Sequence, residues 1–241
     1  MNAPTPRGLL PGLLRTVRTY PRRSPLTFGY VVLLLLGHVW VENLLTADRA
    51  DALRDHISTN LDNLHDHPVT ALFGSALLFD GTLTEILSTG FGSTLITLGL
   101  GVCCCLAWAE RRFGALRAAA VLLGGHIGAT LITAAVILLA LRHGWYPESV
   151  RQASDYGISY GAQTVLALAI LAVPRWARLP WAAFVVAWPL SGGDWPGPLP
   201  DFTTVGHLLA AALGFAVAAA VALTAARRRR AEGRAPADVR R

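Results

Sequence analysis

The chain carries several apolar segments that reach the ~20 residues an α-helix needs to cross the ~30 Å hydrocarbon core of a bilayer. That one feature excludes most soluble folds. Composition agrees: 53% of the 241 residues are hydrophobic, only 15% are charged, and mean hydropathy is +0.45. The length suits one polytopic membrane domain. Six spans are expected, at about 27–45, 84–108, 116–141, 157–174, 177–190 and 204–226. The fifth is short and bracketed by Pro180 and Pro189, so it is expected to be tilted or broken. The first is too long for the apolar region of a cleaved signal and precedes five more spans.

Charge sets the orientation. Every one of the 21 basic residues is Arg. Five precede the first span, three lie around the second connection (Arg111, Arg112, Arg117), two in the fourth (Arg175, Arg178) and seven follow the last. Only Arg49, Arg54, Arg142 and Arg151 fall on the other side. Under the positive-inside rule both termini are expected in the cytoplasm. The sequence pI near 9.9 does not mark a nucleic-acid binder. The basic residues sit beside apolar segments with no interleaved aromatics, so anionic lipid at the Arg-rich cytoplasmic ends is the expected partner.

Three regions follow. Residues 1–24 form a basic segment whose Leu10, Leu13, Leu14 and Val17 share one face, as in an interfacial helix. Residues 25–226 form the membrane domain. Residues 227–241 are basic, poor in apolar side chains and expected to be disordered. The first outer loop, about 46–81, is long. Ala50, Leu53, Ile57, Leu61 and Leu64 recur at helical spacing, with Thr46 as a cap and Pro68 as a stop. Residues 69–79 are apolar but too few to span, so they are expected to dip into the outer leaflet.

Two polar residues stand out inside spans. Ser159, in Gly157-Ile158-Ser159-Tyr160-Gly161, opens the fourth; His207, in Gly206-His207-Leu208-Leu209-Ala210, opens the sixth. Both spans run the same way, so the two residues lie at similar depth, and ionisable groups in a span usually have a function. A serine beside an imidazole able to take its proton is a nucleophile–base pair. Gly157 and Gly161 on one helix, and Gly206, Ala210 and Gly214 on the other, have the small-residue spacing that lets helices approach closely. The same spacing occurs in many helix pairs without activity. The Gly-x-Ser-x-Gly pattern is not a soluble-hydrolase elbow, because no strand precedes it.

With these residues in place, the chain resembles the rhomboid superfamily of intramembrane serine proteases, in a divergent bacterial branch. Four features carry the resemblance: the six-span layout; Glu110-Arg111-Arg112-Phe113-Gly114, similar to the family's Glu-x-Arg-x-Gly; Gly157-Ile158-Ser159; and His207-Leu208-Leu209-Ala210 with Gly214, similar to His-x-x-Gly-x-x-x-Gly with Ala for one Gly. The resemblance implies an all-α membrane protein, a six-transmembrane-helix bundle with a long, partly membrane-embedded first outer loop, in the bacterial cytoplasmic membrane. It implies Ser159 as nucleophile, His207 as base, membrane-protein helices as substrate or client, and no cofactor or metal. The departures are specific. Tyr160 follows the serine where the family has Gly, and Gln163 stands where an aromatic often packs on the histidine. The family's oxyanion-stabilising His-xxx-Asn pair falls, by counting back from Glu110, on Thr94 and Leu98. Ser93, Thr94 and Thr97 are the hydroxyl candidates for that role. Two readings therefore stand: a slow or specialised protease, or a non-catalytic rhomboid-like protein that binds or sorts membrane helices. A transporter is a third, weakened by the lack of an inverted repeat.

The remaining polar residues are expected to be structural. His126 lies mid-span in a Gly-rich crossing. His38 and Glu42 are four apart on one helix face and pair with each other or with the outer loop. His56, His65 and His67 with Asp62 and Asp66 are polar loop surface rather than a metal site. Asp201 lies off the face of His207 and is not a third catalytic member. Trp176, Trp181, Trp188 and Trp195 suit interfacial anchoring around the fifth span. Cys103-Cys104-Cys105 point in different directions and fill space or carry acyl groups.

Overall fold

A computed structural model describes residues 17–232. The calls on residues 1–16 and on 233–241 lie outside it. Among the described residues the main helical segments are α1 Pro25–Leu44, α2 Ala47–Ile57, α3 Leu61–Asp66, α4 Pro68–Leu77, α5 Thr89–Phe113, α6 Ala115–Arg142, α7 Ser159–Leu171, α8 Arg178–Ser191 and α9 Phe202–Glu232. By length and composition α1, α5, α6 and α9 can cross a membrane. At 1.5 Å per residue α7 and α8 are each only about 20 Å long.

α7 is the buried centre. Every residue from Tyr160 to Leu168 is buried, between α5, α6 and α9. The surrounding helices are inverted relative to a soluble protein. Leu36, Leu131, Leu139 and Leu223 are exposed, as lipid-facing side chains must be. The boundaries have local causes. α5 starts at Thr89, later than expected, because Ser88 caps it: its hydroxyl accepts the Phe91 N–H at 3.1 Å. Gly114, at φ +89, ends α5 and turns directly into α6. α8 runs unbroken through Pro189, so of the tilt or break expected there the break is absent. α9 continues as helix through Arg227–Arg230 to Glu232, where disorder was expected.

The Glu110 motif ties the Arg-rich end together. Pro25 opens α1, which leaves first-turn N–H groups without intrahelical partners. The Glu110 carboxylate accepts them: Leu26 N–H donates to Oε1 (2.9 Å), and the Thr27 N–H and hydroxyl donate to Oε2 (2.9 and 2.7 Å). Arg111 donates to Ser24 Oγ at 2.8 Å. A carboxylate at a helix N-terminus is also favoured by the helix dipole.

The connection after α1 is mostly helical from 47 to 77 and carries no helix over 78–88. The single helix expected there is split at Ser58–Thr59–Asn60, whose side chains compete with the backbone. Asn60 Oδ1 caps α3 by accepting the Asn63 N–H (2.9 Å), and Ser58 and Thr59 bond to Asp155. Thr46 makes no side-chain cap. Pro68 opens α4 rather than only stopping its predecessor. α4 packs Ala71, Ser75 and Ala76 inward, all at most 2% exposed. His126 holds it against α6: its Nε2 lies 3.0 Å from Ser75 Oγ and 3.2 Å from Leu72 O.

Candidate active site

Ser159 is the first residue of α7, and the backbone before it explains why the helix starts there. Gly157 adopts φ +106, which L side chains rarely do. Its N–H donates to Ser75 O (3.1 Å) and the next N–H, of Ile158, donates to Leu78 O (3.0 Å). The run into α7 is thus pinned along the end of α4. First-turn N–H groups, Ser159's included, have no intrahelical partner.

His207 lies in the second turn of α9. Asp201 caps that helix, accepting Thr204 N–H at 2.9 Å and Thr204 Oγ1–H at 2.7 Å. Burial would raise the Asp201 pKa, but these donors with Thr203 and the Asp194 N–H win and hold it below its ordinary value. Asp201 thus shapes α9 instead of meeting the His207 ring. His207 Nδ1 lies 2.7 Å from Thr203 O. A carbonyl only accepts, which assigns the hydrogen of the neutral ring to Nδ1 and the lone pair to Nε2.

Ser159 and His207 line one cavity of about 570 Å³, between the starts of α5, α7 and α9 and the end of α8. Among the described residues no hydrogen bond joins Ser159 Oγ to the His207 ring. Resting sites often hold such pairs loosely and tighten them around substrate. Ser93 and Thr97 face the same cavity. Thr94 does not: its hydroxyl bonds to Thr82 O (2.9 Å) and Gly90 O (3.0 Å), and it is 4% exposed. Leu98 is buried in the core. The cavity-facing hydroxyls thus sit one residue earlier than counting from Glu110 suggests. In α5, Leu95–Leu106 winds in wide i→i+5 turns. Each wide turn takes up an extra residue and slips the register of everything before it.

The aromatic contact to the histidine is also displaced. Gln163 lines the cavity but donates to Val185 O of α8 at 2.7 Å. The Tyr160 ring meets His207 instead, edge-on, with centroids 4.9 Å apart and planes at 80°. An aromatic directly after the serine was visible in the sequence; its orientation toward α9 was not.

Of the small residues, Gly206, Ala210 and Gly214 do form the face of α9 against α7. A Cβ on Gly206 would come within 2.3 Å of the Tyr160 ring, and one on Gly214 within 2.2 Å of Thr164 O. Thr164 Oγ1–H also donates to Ala210 O at 3.1 Å. Gly161 instead faces α6, where a Cβ would meet Leu122 O at 2.8 Å, and Gly157 faces residues 78–80. They are not part of the α7–α9 contact because α7 presents Tyr160 and Thr164 on that side.

The other polar residues are occupied structurally. His38 stacks on Phe79 (4.5 Å), and Glu42 pairs with Arg54 of α2. The His56 and His67 rings stack at 4.6 Å, and His65 pairs with Asp66. Trp176 and Trp195 are exposed, whereas Trp188 lines the cavity and Trp181 donates to Leu166 O (3.0 Å). Cys103, Cys104 and Cys105 are half-buried, exposed and buried in turn.

A family model described as "rhomboid-like protein" matches residues 19–229. No curated protein and no solved structure matches the chain. The chain belongs to the rhomboid-like protein family and is a multi-pass membrane protein.

Proposed function

From that membership, we propose that the protein is an intramembrane serine protease that cleaves a peptide bond within or beside a membrane segment of another protein. The observation that carries this is that Ser159 lines the same cavity as an imidazole whose Nδ1 is already committed to Thr203 O. Nε2 takes the Ser159 hydroxyl proton as Oγ attacks the scissile carbonyl carbon. The new oxyanion is met by the Ser159 N–H at the start of α7, with the Ser93 and Thr97 hydroxyls beside it. The protonated ring passes its proton to the leaving amine, and the C–N bond breaks. Water, deprotonated by Nε2, then hydrolyses the acyl-serine. Neither metal nor cofactor enters this scheme. The distribution of Arg supports both termini in the cytoplasm, so the cavity opens toward the opposite face of the cytoplasmic membrane.

Hydroxyls are weaker oxyanion donors than a His–Asn pair, and losing one good donor costs about 10²–10³ in rate. The account therefore predicts slow turnover. The test is cleavage of a transmembrane-segment substrate in proteoliposomes. Wild-type cleavage abolished by Ser159→Ala and by His207→Ala supports the proposal; cleavage unchanged in Ser159→Ala overturns it. A second reading, a non-catalytic protein that binds membrane helices, is favoured by the absent Ser159–His207 hydrogen bond. It predicts capture of a helix by wild type and Ser159→Ala alike, with no product from either.

A further inference from the structure

We propose that Tyr160 and Asp155 form a strut that positions His207, so that the placement of the base is set from the connection between α1 and α5. Tyr160 is 2% exposed, and its ring touches α9 at two successive residues: edge-on against the His207 ring, and in the space that a side chain at Gly206 would fill. Its hydroxyl donates to Asp155 Oδ2 at 3.0 Å. Asp155 is in turn held at each of its polar groups. Its N–H donates to Ser58 Oγ (2.8 Å). Its carbonyl accepts the Thr59 N–H (2.7 Å) and hydroxyl (2.9 Å), and its Oδ2 lies 3.2 Å from Thr59 Oγ1. A continuous line therefore runs from the α2–α3 junction through Asp155 and the Tyr160 ring to the imidazole.

An imidazole has two ring atoms to be placed, and Thr203 O fixes only one. Rotation about that bond would carry Nε2 across the cavity. The Tyr160 edge limits the rotation, and the anchored hydroxyl keeps the ring from following. Tyr160 and Asp155 touch neither substrate nor the reacting atoms; they are positioning residues. A shift of the α2–α3 junction moves Asp155, and through it the base.

The inference rests on His207 acting as the base, so the experiment reads ring placement apart from turnover. ¹⁵N-imidazole NMR of the full chain in lipid nanodiscs follows the His207 resonances and titration midpoint in wild type, Asp155→Ala, Asp155→Asn, Tyr160→Phe and the Asp155→Ala/Tyr160→Phe double variant. The expected result is a similar displacement in Asp155→Ala and Tyr160→Phe, no further displacement in the double variant, and wild-type behaviour in Asp155→Asn, whose amide oxygen still accepts the Tyr160 hydroxyl. Fluorophosphonate labelling of Ser159 should fall about tenfold in the two single variants that move the ring. Unmoved resonances, additive displacements, or Asp155→Asn behaving as Asp155→Ala would overturn the strut. If wild type shows the expected NMR pattern but no labelling, the strut stands and the protease reading falls.

Discussion

At the scale of single residues, two carboxylates each tie separate elements together. Glu110 is surrounded by donors at the start of α1. Glu110→Ala strands two backbone N–H groups near the chain's Arg-rich end. At roughly 1–3 kcal/mol per unsatisfied buried group it should cost about 3 kcal/mol, and Glu110→Gln less. Thermal unfolding in detergent measures both. Asp155 behaves differently. Burial pushes its pKa from 3.8 up to about 6, with nearby Asp80 and Asp201 adding to the rise and the Tyr160 and Thr59 hydrogen bonds opposing it. A folded-state value above the unfolded one means that its contribution to stability is full below about pH 4 and is lost as pH rises through about 6. Hydrogen exchange at the Thr59 amide, which donates to Asp155 O, should therefore quicken relative to the intrinsic rate between pH 4 and 7. Asp155→Asn should remove that excess; an equal excess in the variant would refute the assignment.

At the scale of helices, the α7–α9 contact sets the distance between Ser159 and His207. The sequence already marked its α9 half, because Gly206, Ala210 and Gly214 recur at helical spacing before and after His207. Its α7 half was hidden. Gly157 and Gly161 have the same spacing, yet one serves a turn and the other faces α6. Spacing says which residues share a face, not which neighbour that face meets. Gly214→Ala puts a methyl group against backbone, the Thr164 carbonyl, which cannot rotate away. It should separate the helices at a cost of about 1–3 kcal/mol, with lower thermal stability and weaker Ser159 labelling. Gly124→Ala, where no atom lies within 4 Å, is the control and should leave both unchanged. The oxyanion side shows the other limit of sequence reading. Counting from Glu110 arrived at Thr94 and Leu98, whereas of the three hydroxyl candidates Ser93, Thr94 and Thr97 the cavity receives Ser93 and Thr97; the wide turns of α5 leave no signature in residue identity. Ser93→Ala and Thr97→Ala are expected to lower the cleavage rate, and Thr94→Ala to act on stability, since its hydroxyl closes the start of α5.

At the scale of the whole molecule, the arrangement is a short buried helix, α7, carried at the centre of longer lipid-facing ones. At Ser159–Leu171 α7 is shorter than the span expected over 157–174, whereas the membrane character was legible from composition alone. The short helix α4 was legible as an apolar stretch too short to cross. What the sequence did not disclose is that the end of α4 is tied to the start of α7 through backbone groups, and Asp155 to Ser58, Thr59 and Tyr160. The cavity is polar at its Ser93, Thr97, Ser159 and His207 wall, while the exterior is covered in aliphatic side chains. The central claim is that Ser159 is a nucleophile activated by His207. The most direct measurement is covalent labelling of the purified, folded chain by a fluorophosphonate, with the modified residue located by mass spectrometry. The account predicts one adduct, on Ser159, lost in His207→Ala. A folded wild-type chain that takes no label at Ser159, or labels equally with and without His207, would contradict it.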